Sequence, residues 1–143
     1  MTAVPKLKHR MRGEIKRKRT PTTHRQVSRE LDKVFSQYIR KRDGKCMVHA
    51  NPRNGLPFGC SKVLQCNHLV SRNNMRLRWD EKNCVAACRE VNLWAHYNQD
   101  DWYALWRRLF PERIEYLDIS RRNHKKYSLI ELQILLTHYT AKP

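Results

Sequence analysis

Acidic residues are scarce in this sequence of 143 residues, which has 13 aspartates and glutamates against 30 lysines and arginines. The formal net charge is +17. A chain with this charge favours a polyanion over an apolar protein surface, so nucleic acid is the expected partner. On charge alone, a ribosomal-type or scaffold protein that only neutralises phosphate explains the composition equally well.

Long apolar runs are also missing. No stretch approaches the roughly 20 apolar residues that a membrane span requires, and the basic N-terminal residues are not followed by the apolar segment of a signal peptide. The sequence therefore predicts a soluble, cytoplasmic protein that does not bind a membrane.

The five cysteines do not suggest a disulfide framework, because their number is odd and they lie beside metal-type partners. Cys46 and His49 form a Cys-x-x-His pair, which resembles half of a zinc knuckle. Cys88 is expected to add a third ligand, and the fourth is Cys60, Cys66 or Cys84. The alternative is that these cysteines are buried free thiols, which behave as small hydrophobic residues.

The length predicts one domain preceded by a basic arm. Residues 1–29 are rich in lysine and arginine, contain one acid and have few apolar residues, which is typical of a flexible segment that binds phosphate. A solubilising tail without specific contacts is the alternative. Within this arm, the predicted DNA-binding residues are Lys16, Arg17, Lys18 and Arg19.

The remaining chain, 30–143, is predicted to be a mostly helical α+β domain. Apolar residues at helical spacing predict an amphipathic helix that begins near Ser28 and stops at Asp43 and Gly44. Residues 45–98 form the expected core of the domain, with a short strand before His68. Further helices are predicted over 99–141, the last of them capped by Ser128 and Glu131.

Residues 66–98 carry the candidate chemistry. The steps from His68 to Asn83, from Asn83 to Asn92 and from Asn92 to His96 are 15, 9 and 4 residues. A step of four places Asn92 and His96 on the same face of a helix, where both can bind one ion.

A histidine beside an ion on a basic scaffold suggests phosphodiester hydrolysis. Neutral imidazole can deprotonate water near neutral pH, and a hard divalent cation absorbs charge on the phosphate. His68 is the expected base, and Asn67, Asn92 and His96 are the expected ligands of the ion. A ligand set of oxygen and nitrogen with a single imidazole favours Mg²⁺ or Mn²⁺ over zinc.

The order His68, Asn83, Asn92 and His96 resembles the motif of the HNH, or ββα-metal, endonucleases. The surrounding segments LDKVFSQYIRKRDGKC, LQCNHLVSR, LRWDEKNCVAAC and VNLWAHYN are similar to phage recombination endonucleases of the NinG and Rap kind, over roughly residues 31 to 140. The chain departs from that group at His49 and Val91, where relatives often carry cysteine.

This resemblance implies a ββα-metal (His-Me finger) nuclease core flanked by α-helices. It implies that Asn83 orients the hairpin loop and the base, and that His68 and the ligands Asn67, Asn92 and His96 act as the chemistry above suggests. It also implies a phage- or prophage-encoded protein that works in a bacterial host cell.

The expected function is metal-dependent cleavage of branched or recombining DNA, such as junctions, D-loops or flaps. Arg72, Arg76 and Arg78 are the expected contacts to the DNA backbone. A homodimer is expected because symmetric cleavage of a four-way junction needs two active sites. Two alternatives remain, namely a non-catalytic nucleic-acid-binding protein stabilised by zinc, and an HNH nicking or packaging nuclease that acts on ordinary duplex.

Overall fold

The structure is a computed structural model that describes residues 20–143. The predicted DNA-binding residues at positions 16–19 lie outside the described residues. The fold is mixed α+β and mostly helical, with one small antiparallel sheet. Its elements are α1 (His24–Asp43), β1 (Leu64–His68), a 3₁₀ turn (Glu81–Asn83), β2 (Cys84–Cys88), α2 (Arg89–Tyr97), α3 (Gln99–Leu109), α4 (Pro111–Ser120) and α5 (Leu129–Ala141).

Helix α1 begins earlier than the sequence predicted. Thr23 is its N-cap and forms a capping box with Gln26, so Ser28 lies inside the helix and does not cap it. Residues 24–29, which were assigned to the flexible arm, belong to this helix, and Val27 among them is fully buried. The predicted end is confirmed, because Gly44 adopts a left-handed conformation with φ of 65° and its N–H bonds to Arg40.

The sheet has two strands joined by residues 69–83. Leu64 pairs with Cys88 at one end of the ladder, and His68 pairs with Cys84 at the other. Strand β2 leads directly into α2, which packs against both strands. The chain therefore passes through a strand, a long loop, a second strand and a helix in one continuous segment.

Both faces of the sheet are covered. Val85 and Ala87 join the apolar cluster formed with α2, α3 and α4. Cys84 belongs to the opposite cluster, in which α1 and α5 pack together, and Cys66 packs against that cluster. Because side chains alternate between the faces of a strand, the neighbours Cys84 and Val85 are directed to different halves of the domain.

The C-terminal helices follow the sequence prediction. Pro111 stands at the first turn of α4, where its missing N–H costs no helical hydrogen bond. Ser128 and Glu131 form the predicted capping box of α5. Within residues 20–143, none of the helices is long and apolar enough to cross a membrane.

Candidate functional site

A cleft of about 640 Å³ lies where α1, the end of β1 and α2 meet, and His68, Asn92 and His96 all line it. Three arginines reach its wall, Arg72, Arg78 and Arg89. One acid, Asp32, is among the described residues that line it, and Arg78 already neutralises it. The cleft therefore combines two imidazoles, amide groups and positive charge, which suits a phosphate ester.

His68 occupies the last position of β1, and its ring is fixed by a backbone contact. Its Nε2 atom lies 2.9 Å from the carbonyl oxygen of Arg78. A carbonyl can only accept, so Nε2 carries the proton and Nδ1 is left with a free lone pair. Burial lowers the pKa of His68, and the charges of Arg72 and Arg78 act in the same direction. The imidazole is thus held neutral and ready to accept a proton.

Asn83 fixes the loop that supplies this carbonyl. Its side chain is fully buried. The Oδ1 atom accepts from the Val70 N–H at 2.8 Å, and Nδ2 donates to the carbonyls of Val70 at 2.9 Å and Leu77 at 3.0 Å. Asn83 therefore closes the 69–83 loop from its end.

Asp32 of α1 anchors the same loop from outside. Arg78 forms a two-point ion pair with it, at 3.0 Å from Nε to Oδ1 and 2.6 Å from Nη2 to Oδ2. The indole N–H of Trp79 also donates to Asp32, at 2.9 Å. The position of the Arg78 carbonyl, and with it the orientation of His68, thus depends on a carboxylate 46 residues earlier in the chain.

The three expected ligands of the catalytic ion occupy different environments. Asn92 and His96 share one face of α2 and both line the cleft, as their spacing predicted. Asn67 is only 3% exposed, and its Nδ2 donates to Oδ1 of Asn92 at 2.7 Å. Asn92 in turn donates to Gln65 at 2.8 Å. Asn92 and His96 fit an ion that keeps most of its water, whereas Asn67 is better placed to orient Asn92.

The structure does not bring the three predicted DNA-binding arginines together. Arg72 is exposed on the cleft. Arg78 lines the cleft, but its guanidinium is bound to Asp32. Arg76 is half-buried and lies close enough to Tyr116 and Tyr127 to affect their pKa values, away from the cleft lining. Of the three, Arg72 alone lines the cleft without a side-chain ion pair among the described residues.

Sequence reasoning missed Arg89, Asp32 and Gln65 in this cleft. Arg89 is exposed at the first position of α2, one residue after a buried strand, where a basic side chain carries no distinctive signal. Asp32 reads as an ordinary polar position of an amphipathic helix. Gln65 could have been found from its spacing, because it lies two residues before Asn67 and the two side chains therefore share one face of β1.

A second site contains the predicted knuckle. One ligand atom from each of Cys46, His49, Cys60 and Cys88 lies within 4.8 Å of the other three, so this cluster could bind a metal ion such as zinc. The Sγ atoms of Cys46 and Cys88 each lie 3.5 Å from Nδ1 of His49. All five cysteines fall among the described residues, and none forms a disulfide.

The groups around this cluster hold its members in a ligating arrangement. The Nε2 atom of His49 bonds to the Phe58 carbonyl at 2.9 Å, which directs Nδ1 toward the sulfurs. The backbone N–H groups of His49 and Cys88 point at the Cys46 sulfur, at 3.5 Å and 3.3 Å. Burial raises the pKa of the Cys88 thiol to about 12, so a bound cation would have to displace its proton.

The structure identifies Cys60 as the fourth member of the cluster. Cys66 and Cys84, the other candidates, group with His68 instead, and Cys84 lies at the opposite end of the ladder from Cys88. The sulfur and nitrogen atoms of this second trio also lie within 4.8 Å of one another. Burial raises the pKa of the Cys84 thiol well above its usual value, and its contact with Cys66 acts in the same direction.

Comparisons of the chain with known protein families, with curated proteins and with solved structures found no match.

Proposed function

We propose that the protein is a metal-dependent endonuclease that hydrolyses DNA phosphodiester bonds and that its core is of the HNH, or ββα-metal, kind. The observation that carries this proposal is the bond from His68 Nε2 to the Arg78 carbonyl. It leaves Nδ1 unprotonated in a basic cleft, beside two potential metal ligands on α2.

The arrangement of elements supports the same assignment. Strands β1 and β2 and helix α2 form one ββα unit, with His68 at the end of the first strand. Asn83 lies at the end of the connecting loop, and Asn92 and His96 lie on the helix. The order and the roles of these residues follow from the HNH resemblance of the sequence.

In the proposed reaction, Nδ1 of His68 accepts a proton from a water molecule that attacks the phosphorus atom. Asn92 and His96 would hold a Mg²⁺ or Mn²⁺ ion, which when bound stabilises the charge on the phosphate and the leaving oxygen. Asn67 orients Asn92 by its hydrogen bond. Arg72 and Arg89 bind the flanking phosphates of the strand.

The other basic residues add affinity. Residues 1–19, with Lys16, Arg17, Lys18 and Arg19, are proposed to contact the DNA backbone through charge alone. The cluster of Cys46, His49, Cys60 and Cys88 is proposed to bind a structural Zn²⁺, because four soft ligands around one point favour that ion. This zinc would tie the loop after α1 to the end of β2.

Branched DNA is the proposed substrate. Leu93 and Tyr97, exposed by 57% and 76%, stand one helical turn apart on α2, beside His96. An exposed aromatic ring such as that of Tyr97 can stack on unpaired bases, and Leu93 can pack beside it; a branch point offers such bases and a continuous duplex does not. Cleavage of both strands of a junction requires two sites, so the proposed working unit is a homodimer in the cytoplasm of a phage-infected bacterium.

One experiment separates this proposal from a non-catalytic binding protein, a candidate that the Cys46 cluster favours. Supercoiled plasmid is incubated with the protein and Mg²⁺ or Mn²⁺, and in parallel with EDTA. The proposal expects nicked or linear plasmid only with the divalent ion. Binding without cleavage under every metal condition would favour the non-catalytic protein. Comparing junction, flap and linear duplex substrates then tests branch preference against an HNH nuclease that acts on duplex.

A further inference from the structure

Three soft ligands share one face of the hairpin at the cleft. Cys66 and His68 are two residues apart on β1, and Cys84 pairs directly with His68 from β2. We propose that Cys66, His68 and Cys84 bind a thiophilic divalent cation such as Zn²⁺, and that an ion held there stops DNA cleavage by occupying the His68 ring. The inhibitory part rests on the proposed function, whereas the binding site does not.

The ligand types decide which ion the trio can take. Two sulfurs and one imidazole nitrogen suit Zn²⁺ or Cd²⁺, whereas Mg²⁺ requires oxygen. The three ligand atoms lie within 4.8 Å of one another. Around a tetrahedral zinc ion they would be roughly 3.5 to 3.8 Å apart, from bond lengths near 2.0 to 2.3 Å. A contraction of about 1.3 Å at most would close the site.

The charge balance also favours this ion. A cation next to Arg72 and Arg78 is repelled unless an anion accompanies it. A DNA phosphate would be that anion for an ion at Asn92 and His96, whereas at the trio two thiolates cancel the charge of the ion, and their two protons leave to solvent. Cys66 and His68 line the cleft, so the ion has an entry path. A fourth position remains for water, because the trio provides only three ligands.

Occupation of this site removes the proposed base. The Nε2 atom of His68 already bonds to the Arg78 carbonyl, so Nδ1 is the nitrogen available to a metal. A metal–nitrogen bond uses the lone pair that would otherwise accept the proton from water. The trio is distinct from the four-ligand cluster at Cys46. That cluster would leave no open coordination position on its ion, and none of its residues lines the cleft.

Ion counting tests the site itself. Wild type, Cys66→Ser and Cys60→Ser are dialysed against micromolar Zn²⁺ with a phosphine reductant, and bound zinc per chain is measured. Wild type is expected to take up one ion more than Cys66→Ser, and Cys60→Ser should lose the other ion. Loss of one ligand should weaken binding at least about 10-fold, since even outer-shell partners contribute that much. Equal zinc uptake by wild type and Cys66→Ser would refute the site.

Plasmid cleavage with Mg²⁺ tests inhibition. Before zinc is added, wild type and Cys66→Ser should cleave at equal rates. Micromolar Zn²⁺ should slow cleavage by wild type about 10-fold or more and should leave cleavage by Cys66→Ser nearly unchanged. Equal inhibition of the two proteins, or cleavage supported by zinc alone, would overturn the inhibitory role. If wild type cleaves no DNA with Mg²⁺ or Mn²⁺, the proposed function fails, but the ion count still decides whether the site exists.

Discussion

The Nε2 atom of His68 lies 2.9 Å from the carbonyl oxygen of Arg78, ten residues further along the chain. Two side chains outside the reaction hold the segment that bears this carbonyl, Asn83 from within the loop and Asp32 from α1. The orientation of the proposed base therefore depends on residues that touch no substrate, and each can be tested separately.

Asn83→Ala should destabilise the domain by about 2 to 4 kcal/mol, because it leaves the N–H and the carbonyl of Val70 without partners and removes one of the two hydrogen bonds to the Leu77 carbonyl. Urea unfolding measures this. Asn73→Ala, an exposed asparagine in the same loop, is the matched control and should change stability by less than about 0.5 kcal/mol. Equal stability of the two variants would contradict the role given to Asn83.

Asp32→Asn should lower kcat for DNA cleavage by about 10- to 100-fold, because small misplacements of a catalytic group cost that much. DNA affinity should not weaken, since Arg78 is released toward the cleft. Glu30→Gln removes the same charge from α1, where Glu30 pairs with Lys33, and should leave kcat unchanged. If Asp32→Asn weakens binding and leaves kcat intact, Asp32 does not position the base.

Cys60→Ser should abolish the tightly bound metal and lower Tm by more than about 5 °C, which corresponds to roughly 2 kcal/mol for a domain of this size. Elemental analysis and thermal unfolding measure both effects. A chelator should lower the Tm of wild type toward that of the variant, and it should change the Tm of the variant much less. Ser61→Ala, at the exposed neighbouring position, should retain metal and Tm. Full metal content in Cys60→Ser would assign the fourth ligand elsewhere.

Arg72→Ala and Arg89→Ala should each reduce the slope of log affinity against log salt by about 0.9, the value for one phosphate contact on duplex DNA. Fluorescence anisotropy at several salt concentrations gives the slope. Arg53→Ala removes an equal charge from an exposed position outside the cleft and should leave the slope unchanged. An unchanged slope in both cleft variants would show that DNA phosphates do not contact this wall of the cleft. A chain that begins at residue 20, measured identically, gives the contribution of residues 1–19.

Local signals in the sequence predicted much of this architecture. The Gly44 helix end, the Ser128 capping box and the four-residue step from Asn92 to His96 each depend on neighbours within one or two helical turns. Such features follow from backbone geometry and spacing alone. The Thr23 and Gln26 capping box was equally local and was missed because basic residues dominate that part of the chain.

Features set by tertiary packing could not be read in the same way. The choice of Cys60 over Cys66 and Cys84 depends on how the loop before β1 folds back onto Cys88 at one end of the hairpin, whereas Cys84 pairs with His68 at the other end. The ion pair between Asp32 and Arg78 joins residues 46 positions apart. The guanidinium of Arg78, which was predicted to contact DNA, is held in this ion pair. No sequence pattern within either segment indicates the ion pair.

The measurement that tests the central claim most directly compares His68→Ala with wild type in plasmid cleavage and in DNA binding, both with Mg²⁺ or Mn²⁺. The variant removes the imidazole that would accept the proton from water and leaves Arg72 and Arg89 in place. We predict that cleavage falls at least about 100-fold, the usual contribution of general base catalysis, while DNA affinity stays within about twofold. Cleavage by His68→Ala at near the wild-type rate would contradict the assignment of His68 as the catalytic base.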